Sequence, residues 1–499
     1  MKRLFILILT FITIKTVSLA SVADTALVEH TSLERVPMLE ALRNPALHGF
    51  GYETSFSQLA LGIDYQHQSL AFVPEKGSGF ALPYLKVNTY HHLGQRSTVW
   101  GEASYMTGKQ HSIKWNSTSD YDLLQPYILA DTLGGDTRRE RYTISGGYAS
   151  SLGRWSLGAE MLVRAEQEYR GRDPRMRGIV TDLTLRLGAA CELKRYRLAA
   201  GIEGNIYKQT NSVAFYREEG VIPEYQMTGL GTEYSRFSGD KRSLYYDGGG
   251  LAVVLHASPC NGSGFYADVT LDEHRYHRKL AEFNSMPLTD LYNEHIGTTI
   301  GWKQDKSTRH VAVFGHIDYT RRTGNEHVGG TSDARYFPVI GCLTMYKSHL
   351  LDAHAGALYG RDNWHAVLTA GYRSQDEKYV YPHRQMDSGH AYGTLQGQCY
   401  CRPTNKLLLT IEASASYYAK TNDKLAMPFA NMDAAVSQLI QHKHKFATAN
   451  YTNLGTKVRA DYGWKQSRYG LFAEAGAGMT WCSASESQTT FHSSIGITF

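Results

Sequence analysis

Long apolar runs are missing from this chain once its first fifteen residues are passed. A membrane-spanning helix needs roughly 20 consecutive apolar residues. The mean hydropathy of −0.37 excludes a bundle of such helices. Proline is scarce, at 13, whereas tyrosine reaches 34 and glycine 47 in 499 residues. That balance favours one large all-β unit over two or three ordinary domains. Tyrosine has an apolar ring and a polar tip, which suits strands at a boundary between oil and water.

Cysteine is also sparse. The six, at 191, 260, 342, 399, 401 and 482, match neither a zinc-ligand spacing nor a dense disulfide framework. The formal net charge is +5, and three of the positive groups, Lys2, Arg3 and Lys15, lie in the first fifteen residues. Nothing in this balance points to nucleic acid. No G-x-S-x-G, H-E-x-x-H or phosphate-binding glycine loop occurs. A hydrolase at a barrel rim is therefore only a lesser alternative, and no cofactor is expected. His365 near Asp362, and His316 near Asp318, read by default as ordinary luminal polar residues.

The first residues predict a cleaved signal peptide over 1–23. Lys2 and Arg3 precede an apolar stretch over 4–14, and small residues follow at 18–23, with cleavage after Ala20 or Ala23. Lys15 makes the apolar stretch too short for an anchor. Residues 24–54 read as a short periplasmic, plug-like segment. In it Leu33, Val36, Leu39 and Leu42 have helical spacing, and Pro45 is expected to end the helix.

From residue 55 to 499 one pattern repeats: segments of alternating apolar and polar residues, joined in turn by short and long connections. Short ones include 94–97, 151–155, 192–196, 303–307, 402–405 and 465–468; long ones include 115–138, 215–242, 322–343 and 422–449. In "YGLFAEAGAGMTW" one face is Tyr469, Leu471, Ala473, Ala475, Ala477, Met479 and Trp481; the other holds Glu474 among Gly470, Gly476 and Gly478. Such strands bear an apolar face bracketed by aromatics and a polar face with charges in mid-strand. They predict a single transmembrane antiparallel β-barrel with short periplasmic turns and long external loops. The count gives 16 or 18 strands, within a range of 14 to 18, with uncertain places between Gln66 and Gly79 and over 334–361.

The inward faces carry charges of both signs: Glu160, Arg164, Arg186, Glu192, Glu203, Asp268, Asp318, Arg373, Glu412 and Glu474. They are the candidate lumen-lining residues. One reading is a channel whose charged walls orient a polar solute; the other is a braced, closed barrel whose charges are paired. Histidine is plentiful, at 21. His442 and His444 are weak metal candidates, because "AAVSQLIQHKHKF" looks helical and a spacing of two shares a face only on a strand.

The loops "WNSTSDYDLLQPYILADTLGGD" and "EYRGRDPRMRG" are rich in aromatics, carboxylates and arginine, which argues for order or for a partner. Trp115, Asn116, Asp120, Tyr121, Pro126, Tyr127, Asp131, Gly134, Gly135, Tyr148, Arg164, Ala165, Tyr169, Arg170, Asp173, Pro174 and Arg175 form a motif set. On these residues the chain resembles a family of uncharacterised Bacteroidota outer-membrane β-barrel proteins. The resemblance implies a barrel and a Gram-negative outer membrane. It implies no activity, ligand or catalytic residue. A lipoprotein or receptor partner is a possibility it leaves open.

The final "FHSSIGITF" reads as a last strand with Phe491, Ile495, Ile497 and Phe499 toward lipid and His492, Ser494, Gly496 and Thr498 inward. Its aromatic end resembles the signal read by the barrel-insertion machinery. The expected function is passage or uptake of a polar solute across the outer membrane. The alternative is a closed accessory barrel whose loops hold a surface or assembly partner.

Overall fold

The computed structural model describes residues 22–216, 224–234, 243–281, 285–306, 309–331, 337–463 and 469–499. The leader lies outside the described residues but for its last two positions, which belong to the helix Val22–Thr31. The turn at 465–468 also lies outside them.

Eighteen antiparallel strands form one sheet that closes on itself. The first strand, Phe56–Gln68, pairs with Gly79–Leu93 on one side and with the last strand, Ser487–Thr498, on the other. Leu59 faces Ile497 and Tyr65 faces Phe491 in that last seam. Closure leaves no unpaired backbone edge, which a membrane-spanning sheet requires. A belt of apolar side chains covers the outside: Leu157, Met161, Leu185, Ile202, Leu368 and Leu395 are each about half exposed. Trp155 and Trp364 stand at its short-turn rim and Trp481 at the opposite one, where interfacial aromatics belong.

The wall is uneven in height. Strands Tyr451–Gly463, Gly470–Cys482 and Ser487–Thr498 have 12 or 13 residues, while Val339–Arg361 has 23. At ~3.3 Å per residue the short strands suffice, when tilted, for an apolar band of ~25 Å. The tall ones project far beyond it. Here the structure corrects the sequence reading. The long connection placed at 322–343 is mostly sheet: Arg309–Gly329 and Val339–Arg361 stay paired as far as Gly329 and Val339, and only 330–338 joins them. Above the belt both strand faces meet polar surroundings, so alternation fades although pairing continues. The region 334–361 thus supplies one strand, and the interruption near Pro74 is a connection containing the short 3-10 turn Pro74–Lys76. The strand placed after 138 begins at Gly135. The loop placed at 422–449 holds the end of Leu407–Ala426 and the helix Ala435–Ala447.

The N-terminal segment runs inside the barrel. After Val22–Thr31 come two 3-10 helices, Leu33–Arg43 and Pro45–Phe50. Ser32 Oγ accepts from the Glu34 N–H and Asn44 Oδ1 from the Ala46 N–H, capping each in turn. Pro45 does not merely end one helix; it starts the next, where its missing N–H costs nothing. Asn44, Pro45, Ala46 and Leu47 are buried. Glycines on the wall make room for them. A Cβ on Gly188 would lie 1.9 Å from Asn44 Oδ1, and one on Gly158 2.4 Å from the Pro45 carbonyl carbon.

Candidate functional site

The lumen has three parts, and each uses charges differently. In the first, the internal segment meets the wall through Arg43. Its Nε donates to Glu203 Oε2 at 3.0 Å and its Nη2 to Asp272 Oδ1 at 2.5 Å. Arg186 donates to Glu203 at 2.8 Å and to Glu160 at 3.0 Å, and Trp100 Nε1 donates to Glu160 at 2.9 Å. His295 stands between Asp272, at 2.8 Å, and Asp318, at 2.7 Å; His316 Nε2 is 2.7 Å from the same Asp318. The expected lumen residues Glu160, Arg186, Glu203 and Asp318 therefore belong to one network. Its centre, Arg43, was missed because it lies in the segment read only as a helix. Thr299 Oγ1 is 2.8 Å from His316 Nδ1, a hydroxyl–imidazole–carboxylate chain with Asp318. That hydroxyl is buried and lies 3.2 Å from Glu40 Oε2 of the internal segment, so it has no open approach.

The second part is a chamber of about 650 Å³ on the low side of the barrel. It is bounded by Leu33 of the internal segment and by Asp64, Arg141, Glu412, Lys457 and His492 of the wall. His492 spans Asp64, at 2.7 Å, and Glu474, at 3.0 Å. Lys457 Nζ lies 3.0 Å from Glu412 and 3.9 Å from Glu474. Arg141 is held from behind by Glu166 at 2.6 Å. The space exists because Gly455, Gly476 and Gly478 stand on this wall where other strands carry long side chains.

The third part closes the long-loop end. Residues 114–134 fold inward, and Tyr121, Leu124, Tyr127, Ile128, Leu129 and Ala130 join one buried cluster with Met227, Tyr246, Leu288, Tyr346 and Ile440. Asp120 takes a two-pronged pair from Arg164, at 2.8 and 2.7 Å, and a bond from Tyr207. Burial raises the Asp120 pKa, but Arg164 and the Tyr207 hydroxyl outweigh it and hold the carboxyl below its ordinary range. Arg170 and Asp131 form a fully buried pair at 2.7 Å. Asp131 also accepts from Ser117 Oγ and the Gly134 N–H, and Arg170 donates to the Asn116 carbonyl. Lys443, on the helix Ala435–Ala447, reaches Glu75 at 3.0 Å and Tyr121 at 2.9 Å. Burial lowers the Lys443 pKa, yet Glu75, Tyr121 and Glu377 raise it well above the usual lysine value. Three separate connections are thereby fastened at one point.

The remaining expected residues fall elsewhere. Glu192 pairs with Arg197 at 2.5 Å at the end of its strand, at the rim and not in mid-lumen. Asp268 is buried against His256 at 2.6 Å. Arg373 is exposed, opposite Asp352 and His390 in register. His442 donates to the Ala71 carbonyl at 2.7 Å, while His444 Nε2 lies 3.0 Å from Asp423. The two do not converge, because a spacing of two on a helix points side chains in different directions. Phe491, Ile495, Ile497 and Phe499 are all exposed on the outer face.

Residues 45–499 match the model of a family described as a family of unknown function, DUF6850, and the chain belongs to it. No curated protein sequence matches the chain. Among solved structures it is similar to BauA, the ferric preacinetobactin receptor of Acinetobacter baumannii, at 8% identity and a TM-score of 0.41, covering 89% of this chain and 80% of that one. It is similar to the ferric enterobactin receptor PfeA of Pseudomonas aeruginosa, at 10% identity and a TM-score of 0.38, with coverage of 89% and 80%. The outer membrane transporter YddB of Escherichia coli gives 7% identity and a TM-score of 0.38, with coverage of 89% and 81%.

Proposed function

We propose that the protein is an outer-membrane barrel that takes up a small polar solute through a lumen closed at rest. The envelope is Gram-negative, of the Bacteroidota type that the loop motifs suggest. The observation that carries this reading is the cavity of about 650 Å³ beside the internal segment, lined by apolar side chains such as Leu82 and Met106 together with charged ones. Its size suits a small solute, and its walls offer both donors and acceptors. Passage requires the internal segment or the inward loop to move. Lipid covers the apolar belt, and the insertion machinery reads the strand bearing Phe491, Ile495, Ile497 and Phe499.

A closed accessory barrel that presents its loops to a lipoprotein or receptor is the second reading. It is favoured by the buried Arg170–Asp131 pair, which fastens the inward loop. Conductance in planar bilayers separates the two. Under the uptake reading the full chain conducts weakly, and deletion of residues 24–50 raises the conductance. Glu412→Gln or Arg373→Gln in that deletion background then shifts the reversal potential. A folded deletion variant that stays silent overturns the uptake reading.

A further inference from the structure

A cluster that the transport reading does not use lies near the short-turn end. Glu34 comes from the internal segment, His310 from the strand Arg309–Gly329 and His365 from the strand Trp364–Tyr379. One ligand atom from each lies within 4.8 Å of the others. His310 Nδ1 is 2.9 Å from Glu34 Oε1, and His365 Nε2 is 3.9 Å from Glu34 Oε2. The two rings are 5.9 Å apart.

The wall is arranged to let these rings meet. His310 is paired with Gly360, and Gly360 with His365, so the two histidines flank one strand. Their backbones are then ~10 Å apart, twice the strand spacing. Any side chain on the middle strand would separate them. A Cβ on Gly360 would lie 2.1 Å from His365 Cδ2, so the ring occupies the space a side chain would fill. Tyr400 holds the ring edge-on from the other side at 6.2 Å.

The second observation is an unmet need. His365 is only 3% exposed, and neither of its ring nitrogens has a hydrogen-bond partner among the described residues. His310 Nδ1, despite its closeness to Glu34, also lacks an aligned bond. Buried polar atoms left in this state lose the solvation they had in water and gain nothing in return. One cation would take up one ring nitrogen of each histidine at once. Two imidazoles and a carboxylate suit zinc, whereas calcium and magnesium prefer oxygen ligands alone. Tetrahedral ligands at ~2.0–2.1 Å from zinc are about 3.3 Å apart, so the three side chains, already within 4.8 Å, need to draw in only by rotamer adjustments.

We propose that Glu34, His310 and His365 form a site for one divalent cation of the zinc class, with water as fourth ligand. The cation fastens the internal segment to the barrel wall. Asp305 Oδ1 lies 3.5 Å from the same His310 Nδ1, a second carboxylate at the edge of the site. The test uses the purified full chain in detergent, stripped of metal and titrated with zinc chloride. One equivalent binds, and hydrogen exchange in residues 28–43 slows on binding. Glu34→Gln changes no barrel strand, so the protein still folds; it weakens binding at least tenfold and abolishes the slowing. His310→Gln does the same. Absence of stoichiometric zinc binding by the folded wild type overturns the site. So does binding that Glu34→Gln and His310→Gln leave unchanged.

Discussion

The buried pair of Arg170 and Asp131 shows what a single residue can decide in this molecule. Both side chains are wholly inaccessible, so neither charge can turn to water. Replacing one partner leaves the other uncompensated, at a cost of ~3–5 kcal/mol. Arg170→Ala is therefore expected to release residues 114–134 from the lumen and to lower the unfolding midpoint in denaturant. Protease accessibility of that loop reports the release; a loop as protected as in the wild type counts against the pair as its fastening. Gly134 belongs to the same device. Its φ is +60°, and a Cβ there would lie 1.8 Å from the Ile113 carbonyl oxygen. Asn116, Asp131, Gly134 and Arg170 all stood in the motif set by which the sequence resembled other barrels. Their physical role is now visible: they fold a long external connection back into the barrel.

At the scale of elements, the internal segment and the wall fit by subtraction. Gly158 and Gly188 accept Pro45 and Asn44, and Gly360 accepts the His365 ring. Gly188→Val adds volume where Asn44 sits and leaves the outer belt untouched. The variant is expected to insert normally while residues 24–50 become accessible to protease. Protection equal to that of the wild type would mean that the contact does not hold the segment. The alternation of the strands was readable because one face meets lipid and the other meets the lumen. The tall extensions of Arg309–Gly329 and Val339–Arg361 were not, since no apolar medium touches them there.

For the whole molecule, a closed sheet divides every strand into two populations with opposite tolerances. Met161, about half exposed, is six residues above the rim residue Trp155 and so near the middle of the belt. Met161→Arg should cost ~2–4 kcal/mol at that depth. Lys457→Met, on the chamber wall, should leave stability nearly unchanged, since its partners Glu412 and Glu474 keep other contacts and water. Urea unfolding in lipid vesicles measures both. A smaller loss for Met161→Arg than for Lys457→Met would reverse the assignment of the faces.

The amino-acid sequence by itself determined the barrel and its two faces. These follow from local period and composition, which a strand expresses wherever it sits. Only the tertiary structure decided which charges meet. Arg43 joins Glu203 and Asp272 across 160 and 229 positions, and Glu34 approaches His310 and His365 from a different part of the chain. No spacing within a segment encodes such meetings. They depend on barrel register and on where a segment with weak periodicity comes to rest. The packing of residues 114–134 into the long-loop end was likewise settled by loops and glycines acting together, because a space is defined only by everything that surrounds it.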